Sequence, residues 1–368
     1  MTNVNNSAKI MFMKRLVLKI GSSSLFSGND FAEKEIELLA KEIKKIRDAG
    51  VEVCLITSGA IAIGMQSLSL DKKPTELPLK QALAAIGQMY LMERYEKIFE
   101  KVSLKPAQIL LSHDDFGNRD RVKNLNNTIT ALFSYGAIPV INENDALATE
   151  EIKVGDNDTL ASMIALNIGA EMLVIISDVD GLYDKNPSEH SDAKLIKVVE
   201  KIDSKVFGLA KAPSSKVGTG GMITKLKAAK ICDNSGISMM IVGNSKIGSL
   251  SKVISGENLG TLFVPNGKMP VRKNWLLSCA NISGKIIVDD GAKSALKSRK
   301  SLLSCGIVDH KGTFASGSVV ELCDVGGEVF AKGIVAFGSD TLNSLDRKGE
   351  HHSQLIIHAN NIVLKEEL

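Results

Sequence analysis

Between residues 16 and 264 the chain alternates two hydrophobic patterns, and this alternation narrows the possible folds more than any other feature. Short, apolar, β-branched runs occur at Leu16–Ile20, Val51–Ile56, Ala107–Leu111, Ala137–Ile141, Met172–Ile176 and Ser238–Val242. Runs without polar alternation suit strands buried on both faces, as in a parallel sheet. Between them lie segments with a 3.6-residue period: Phe31–Ala49, Leu79–Lys101, Arg119–Tyr135, Thr159–Ile168 and Met222–Asn234. In the first of these, Asp30 is placed to cap a helix, Glu33 holds the capping-box position and Gly50 ends it. Strand–helix alternation over this length predicts an α/β/α sandwich around a mainly parallel sheet.

The pattern breaks near Val264. Pro265, Asn266 and Gly267 through Pro270 read as a linker, and beyond them Lys285–Val288, Val319–Leu322 and Gly333–Ala336 are short runs separated by glycines. At 368 residues the chain exceeds the size at which one core usually stops growing. The expected organisation is a polar extension over 1–14, an α/β domain over 15–265, a linker over 266–275 and a small β-rich domain over 276–368.

Composition excludes several classes. The net charge is +3, from 45 basic and 42 acidic side chains, which is too balanced to imply a polyanionic partner. Residues 271–368 hold 12 basic and 11 acidic side chains, a net of +1, so the tail lacks the basic excess of an RNA-binding surface. Nucleic acid is therefore not an expected partner. The cysteines, Cys54, Cys232, Cys279, Cys305 and Cys323, show no metal-ligand or redox spacing and suit buried thiols in a reducing compartment. The first ten residues are polar, unlike a signal peptide, and no stretch approaches a membrane span. A cytoplasmic location with no membrane association is expected. The histidine pair His351-His352 suits surface or packing better than a metal site.

In an open parallel sheet, ligands bind beyond the carboxyl ends of the strands. The residues after the apolar runs are unusually polar and glycine-rich. Lys19-Ile20-Gly21-Ser22-Ser23-Ser24 suits an anion such as phosphate, although a plain strand–helix turn has the same composition. The nucleotide P-loop spacing GxxxxGK[ST] is absent. Thr57-Ser58-Gly59-Ala60 leads straight into a helix, either directing its N-terminus at negative charge or simply capping it. Asn142-Glu143-Asn144-Asp145 is followed closely by Lys153-Val154-Gly155-Asp156-Asn157-Asp158. Turn chemistry explains one such carboxylate–amide cluster better than two. Ser177-Asp178-Val179-Asp180-Gly181 follows the fifth run, and Gly218-Thr219-Gly220-Gly221-Met222-Ile223-Thr224-Lys225 joins a glycine-rich loop to a helix. No Ser-His-Asp or Cys-His arrangement is visible.

The ordered set KxGSS, TSGA, INEND, KVGDND, SDVDGLY and GTGGMITK, from Lys19 to Lys225, resembles the amino acid kinase family. Within that family it is similar to the members that phosphorylate glutamate. The tail from about Ile282 to Asn360, including Gly284-Lys285-Ile286-Ile287-Val288-Asp289-Asp290-Gly291-Ala292, looks like the PUA module that such bacterial enzymes append. Met11 or Met13 would serve as a start after the polar extension, and Ser177 stands where relatives often have threonine.

The resemblance implies transfer of the γ-phosphoryl of ATP to the γ-carboxylate of L-glutamate, the first step of proline biosynthesis, with Mg²⁺ carried by the ATP phosphates and no metal held by the protein. Lys19 and Lys225 would be the catalytic cations and Asp158 their organiser. Ser58, Asn142, Asp145, Asp156 and Asn157 would bind glutamate, with Asp145 facing its ammonium. Lys19, Gly21, Ser22, Ser177, Asp178, Thr219, Gly220, Gly221, Met222, Ile223, Thr224 and Lys225 would bind ATP. Relatives are homo-oligomers, dimers or tetramers, and are inhibited by proline. The competing expectations are a sister kinase with another carboxylate or phosphate acceptor, or RNA binding through the tail.

Overall fold

The computed structural model describes residues 13–27, 30–147, 157–210, 221–267, 269, 273–274, 276, 282–344 and 353–365. The chain divides into two compact units, residues 1–268 and 269–368.

The first unit is built on one eight-stranded sheet. Its strands are β1 (Arg15–Ile20), β2 (Glu52–Ile56), β3 (Lys105–Leu111), β4 (Ala137–Glu143), β5 (Met172–Ser177), β6 (Val198–Val199), β7 (Ser238–Gly243) and β8 (Thr261–Phe263). The spatial order is β3-β4-β2-β1-β5-β7-β8-β6. Every neighbouring pair is parallel except β7–β8, where Thr261 lies opposite Ile241. β1 sits where the order turns back: β2 lies on one side of it and β5 on the other. A crevice opens at such a point beyond the carboxyl ends of the strands.

Burial explains the unbroken apolar runs. Leu16, Val17, Leu18 and Ile20 of β1 are fully buried on both faces of the sheet, and so are Leu173, Val174 and Ile175 of β5. Among the described residues of this unit, the α-helices of eight residues or more are α1 (Glu33–Asp48), α2 (Ala60–Ser67), α3 (Leu77–Glu100), α4 (Arg119–Ser134), α5 (Asn157–Ile168) and α6 (Met222–Ser235). α1 lays Ile36, Leu39, Ile43 and Ile46 on the sheet at the expected helical spacing. Its expected cap is not formed. The residue before the helix is Ala32, with no side-chain cap, because Asp30 and Phe31 pair with Phe26 and Ser27 in a two-stranded hairpin. At the other end Gly50 takes the left-handed conformation, φ +87°, that a glycine after a helix allows.

α2 and α3 pack unusually closely. A Cβ on Gly87 of α3 would lie 1.8 Å from the carbonyl oxygen of Ala60, and one on Gly64 of α2 would lie 2.1 Å from that of Leu83. Only glycine allows two backbones to meet at this separation.

The second unit has its own five-stranded sheet of β9 (Ile282–Val288), β10 (Ile307–Lys311), β11 (Val319–Cys323), β12 (Val329–Ile334) and β13 (Ile362–Leu364). The order is β10-β9-β11-β12-β13. Only β9–β11 is parallel; the other pairs are antiparallel. Its core includes Ile286, Val288, Leu296, Leu322, Ile356 and Ile357.

Candidate active site

A cleft of about 970 Å³ opens beyond the ends of β1 and β5. Three helix N-termini line it, through Gly59 and Ala60 of α2, Asn157 and Asp158 of α5, and Gly221 and Met222 of α6. Unpaired N–H groups and the helix dipole make such ends attractive to anions. The first turns of α2 and α6 carry no acidic residue, so neither dipole is internally neutralised.

The electrostatic centre is Asp158, which is 2% exposed. The Lys19 ammonium, at the end of β1, lies 2.7 Å from Asp158 Oδ1, and the Lys225 ammonium, on α6, lies 3.1 Å from Oδ2. The Thr224 hydroxyl donates to Oδ2 at 2.8 Å. Burial by itself would raise the carboxyl. Lys19 first and Lys225 next, with hydrogen bonds from Lys19 and Thr224, outweigh that and hold it well below the usual carboxylate range. Both ammonium groups are nearly buried, and the trio they form with Asp158 carries one excess positive charge. Gly21 lies against this cluster: a Cβ there would come within 3.4 Å of Lys19 Nζ. Gly59 is left-handed, φ +93°, and a Cβ there would meet the Leu25 and Phe26 side chains at 3.1 and 3.3 Å.

A second polar cluster flanks the first. The Asn157 amide donates to Ser58 Oγ at 2.8 Å and to Asn142 Oδ1 at 3.1 Å. The Asn142 amide donates in turn to Gln88 of α3 at 2.9 Å. Asp145 lines the cleft, and its Oδ1 is buried with no hydrogen-bond partner among the described residues. Burial first, then the nearby Glu143 carboxylate, lift Asp145 to about 7, with the Lys73 ammonium opposing. A buried, unsatisfied carboxylate oxygen is costly alone and is stabilised by an incoming cation.

The expected site residues are thus distributed as follows. Lys19, Gly21, Ser22, Ser58, Asp145, Asn157, Asp158, Ser177, Asp178, Gly221, Met222 and Lys225 all line the one cleft. Asn142 does not line it; it lies behind Asn157 and is 1% exposed. Thr224 reaches Asp158 rather than the cleft wall, and Ile223 is 40% exposed and does not line the cleft. Asp156, Thr219 and Gly220 lie outside the described residues. Gly59 of the TSGA turn also lines the cleft, and so do Met65, Lys73 and Lys185, which had not stood out in the sequence. Lys73 and Lys185 sit in connections that return to the cleft only through tertiary folding.

An open parallel sheet with paired lysines around a buried aspartate, facing three helix N-termini, defines a phosphate-handling α/β enzyme. The amino acid kinase family profile matches residues 14–243, and the chain belongs to that family. The PUA domain profile matches residues 284–358. Over nearly its whole length the chain is similar to proteins named glutamate 5-kinase. The one from Caldanaerobacter subterraneus subsp. tengcongensis is 44% identical over 366 residues, covering 96% of this chain and 98% of that protein. The one from Methanosarcina barkeri is 42% identical over 373 residues, covering 96% of each. Among solved structures, carbamate kinase from Giardia lamblia bound to AMP-PNP superposes with a TM-score of 0.51 at 16% identity. It covers 70% of this chain and all of that one. Isopentenyl phosphate kinase superposes with a TM-score of 0.50 at 17% identity, covering 68% of this chain and all of that one. These two likenesses concern the fold.

Proposed function

We propose that the protein is a glutamate 5-kinase, transferring the γ-phosphoryl group of ATP to the γ-carboxylate of L-glutamate to give L-glutamyl 5-phosphate and ADP. The observation that carries this reading is the meeting of Lys19 and Lys225 on Asp158 in one cleft, beside an Asp145 carboxylate with an oxygen that has no partner among the described residues.

The chemistry asks little proton transfer of the protein. A glutamate side chain has a pKa near ~4.3, so the acceptor is already ionised at neutral pH and needs no general base. The difficulty is that an anion must approach a polyanionic phosphate. Positioning and preorganised positive charge address that difficulty. Lys19 supplies the charge from the end of β1 and Lys225 from α6, both beside Asp158. Asp158 fixes both ammonium groups and, being held ionised, accepts no proton during the reaction. Gly21 and Ser22, together with the N-terminus of α6 at Gly221, accommodate phosphates, with Ser177 and Asp178 on the nucleotide side. Asp145 takes the substrate ammonium, and Ser58 and Asn157 take its polar groups.

A cleft of about 970 Å³ has room for both ATP and a small amino acid. Mg²⁺ would be held chiefly through the nucleotide phosphates. When bound there, it supplies further charge neutralisation.

The test is an acceptor screen with ATP and Mg²⁺, trapping acyl phosphate with hydroxylamine. Glutamate should give hydroxamate, while aspartate and acetylglutamate should give at least about tenfold less; comparable products from all three would overturn the assignment. Cytoplasmic location, homo-oligomerisation and inhibition by proline complete the reading. Sedimentation of the purified protein and proline–glutamate competition kinetics check the last two. No described helix is long and apolar enough to cross a membrane.

A further inference from the structure

A line of hydrogen-bonded amides runs from the acceptor side of the cleft into a neighbouring groove of about 740 Å³, whose lining includes Gln88 and Gln108. Its polarity is set by one backbone group. The Glu143 N–H donates to Asn142 Oδ1 at 2.9 Å, and a backbone N–H has no other role than donor. Asn142 Oδ1 is therefore an acceptor, which makes Asn157 Nδ2, 3.1 Å away, the donor to it. Asn157 Nδ2 also donates to Ser58 Oγ. With both amide hydrogens used, the Asn157 side chain keeps only acceptor capacity, and its Oδ1 is buried without a partner among the described residues. Ser58 Oγ accepts from Asn157, so its own hydrogen is free of the described residues and is directed to donate.

This pattern complements a zwitterion. Ser58 offers a donor to a carboxylate, and Asn157 Oδ1 and Asp145 Oδ1 offer acceptors to an ammonium. The reverse orientation of the Asn157 amide would present a donor where the substrate also donates.

At the far end, the Asn142 amide needs an acceptor to balance it, and that acceptor is Gln88 Oε1 at 2.9 Å. Gln88 is 8% exposed and sits on the buried stripe of α3 with Ala84, Leu91 and Tyr95. Its own amide donates to Gln108 Oε1 at 3.3 Å. An apolar residue would fill this stripe position as well for packing alone. We infer that Gln88 is a positioning residue for the acceptor site, holding Asn142 and through it the Asn157 amide in the orientation that recognises an α-amino acid. The inference rests on the glutamate reading above.

The test compares Gln88→Met, which keeps the length and removes the acceptor, with Gln88→Glu, which keeps an acceptor oxygen, in the full-length protein. Gln88→Met should raise KM for glutamate about tenfold, as for loss of one buried hydrogen-bond partner, and leave KM for ATP within about twofold. Gln88→Glu should hold KM for glutamate within about threefold of the wild type. If Gln88 acts through Asn157, adding Gln88→Met to Asn157→Ala should change KM for glutamate by less than about twofold. A Gln88→Met effect that falls equally on both substrates, or that persists in full in the Asn157→Ala background, overturns the role. If the methionine variant does not fold, as judged by circular dichroism, the glutamate variant decides alone: a tenfold rise in its KM overturns the role. The wild-type protein, measured first, separates the two claims. Absence of glutamate-dependent hydroxamate sinks the acceptor assignment, whereas turnover of glutamate with an unaltered Gln88→Met sinks only the role of Gln88.

Discussion

Asp158 and Asp145 are both buried carboxylates in one cleft, and their surroundings push them in opposite directions. Asp158 faces two ammonium groups and stays ionised well below the usual range. Its contribution to stability is present above the unfolded carboxylate pKa and is lost only as pH falls through its lowered folded value. Asp145 forms no ion pair among the described residues, and burial and the Glu143 carboxylate, against the weaker pull of Lys73, lift it to about 7. Between roughly pH 4 and 7 the folded protein binds a proton there that the unfolded chain releases, so this group lowers stability as pH rises through that window. On the proposed reading, the ammonium of bound glutamate relieves it. KM for glutamate should therefore fall as pH rises from 6 to 8. Asp145→Asn should raise that KM by at least about tenfold and remove its pH dependence, with KM for ATP nearly unchanged; titration calorimetry finding ATP binding lost instead would contradict the assignment. Lys225→Met should lower kcat by on the order of 10²–10³, as for removal of one preorganised charge in the transition state, with small changes in either KM. An unaltered kcat would remove Lys225 from the chemistry.

At the level of elements, the contact between α2 and α3 holds in place the side of the cleft proposed to take glutamate. Ser58 and Gly59 open α2, Gln88 lies on α3, and the two helices touch through Gly64 and Gly87. A methyl group on Gly87 would have to displace the Ala60 carbonyl, which is backbone and cannot swing aside. Gly87→Ala should cost about 2 kcal/mol or more in urea unfolding, within the range for overpacking a tight core. Because Ala60 begins α2, the same change should weaken glutamate binding more than ATP binding. A variant with unaltered stability would show that the helices separate freely. The N-termini of α2 and α6, whose first turns hold no acidic residue, add to the lysines a partial positive charge fixed by backbone geometry.

At the level of the molecule, every residue of the candidate site lies in the first unit, which has its own core built on Leu16, Leu18, Ile36, Tyr95 and Phe99 among others. The second unit has a separate core around Ile286, Val320 and Ile356. Residues 1–268 alone should therefore fold and form glutamyl hydroxamate within about tenfold of the full-length rate. A fragment that folds, by circular dichroism, but shows no turnover would mean that residues 269–368 are required for catalysis.

Much of this was legible in the sequence because it depends on short-range pattern. Unbroken apolar runs such as Leu16–Ile20 predict buried parallel strands, since only two covered faces tolerate them. The glycine and hydroxyl residues that follow these runs mark the ligand end of the sheet. The resemblance also implied that Asp158 organises Lys19 and Lys225, whereas spacing along the chain alone gave no reason for the three to meet. Lys225 and Asp158 are 67 residues apart along the chain, and only the adjacency of α5 and α6 closes that distance to 3.1 Å. The missed hairpin at Phe26–Phe31 displaced the expected Asp30 cap, because strand pairing satisfied backbone groups that the side chain would otherwise have served. Gln88 reads in sequence as one polar residue on an apolar stripe. Its significance depends on Asn142, on the other side of the sheet–helix interface, and on the Glu143 N–H that sets the direction of every amide in the line. Local composition determined which elements form and where anions are received. Tertiary packing decided which side chains meet, and with that the sign of each charge and the direction of each hydrogen bond, because both depend on distances of a few ångströms between residues far apart in the chain.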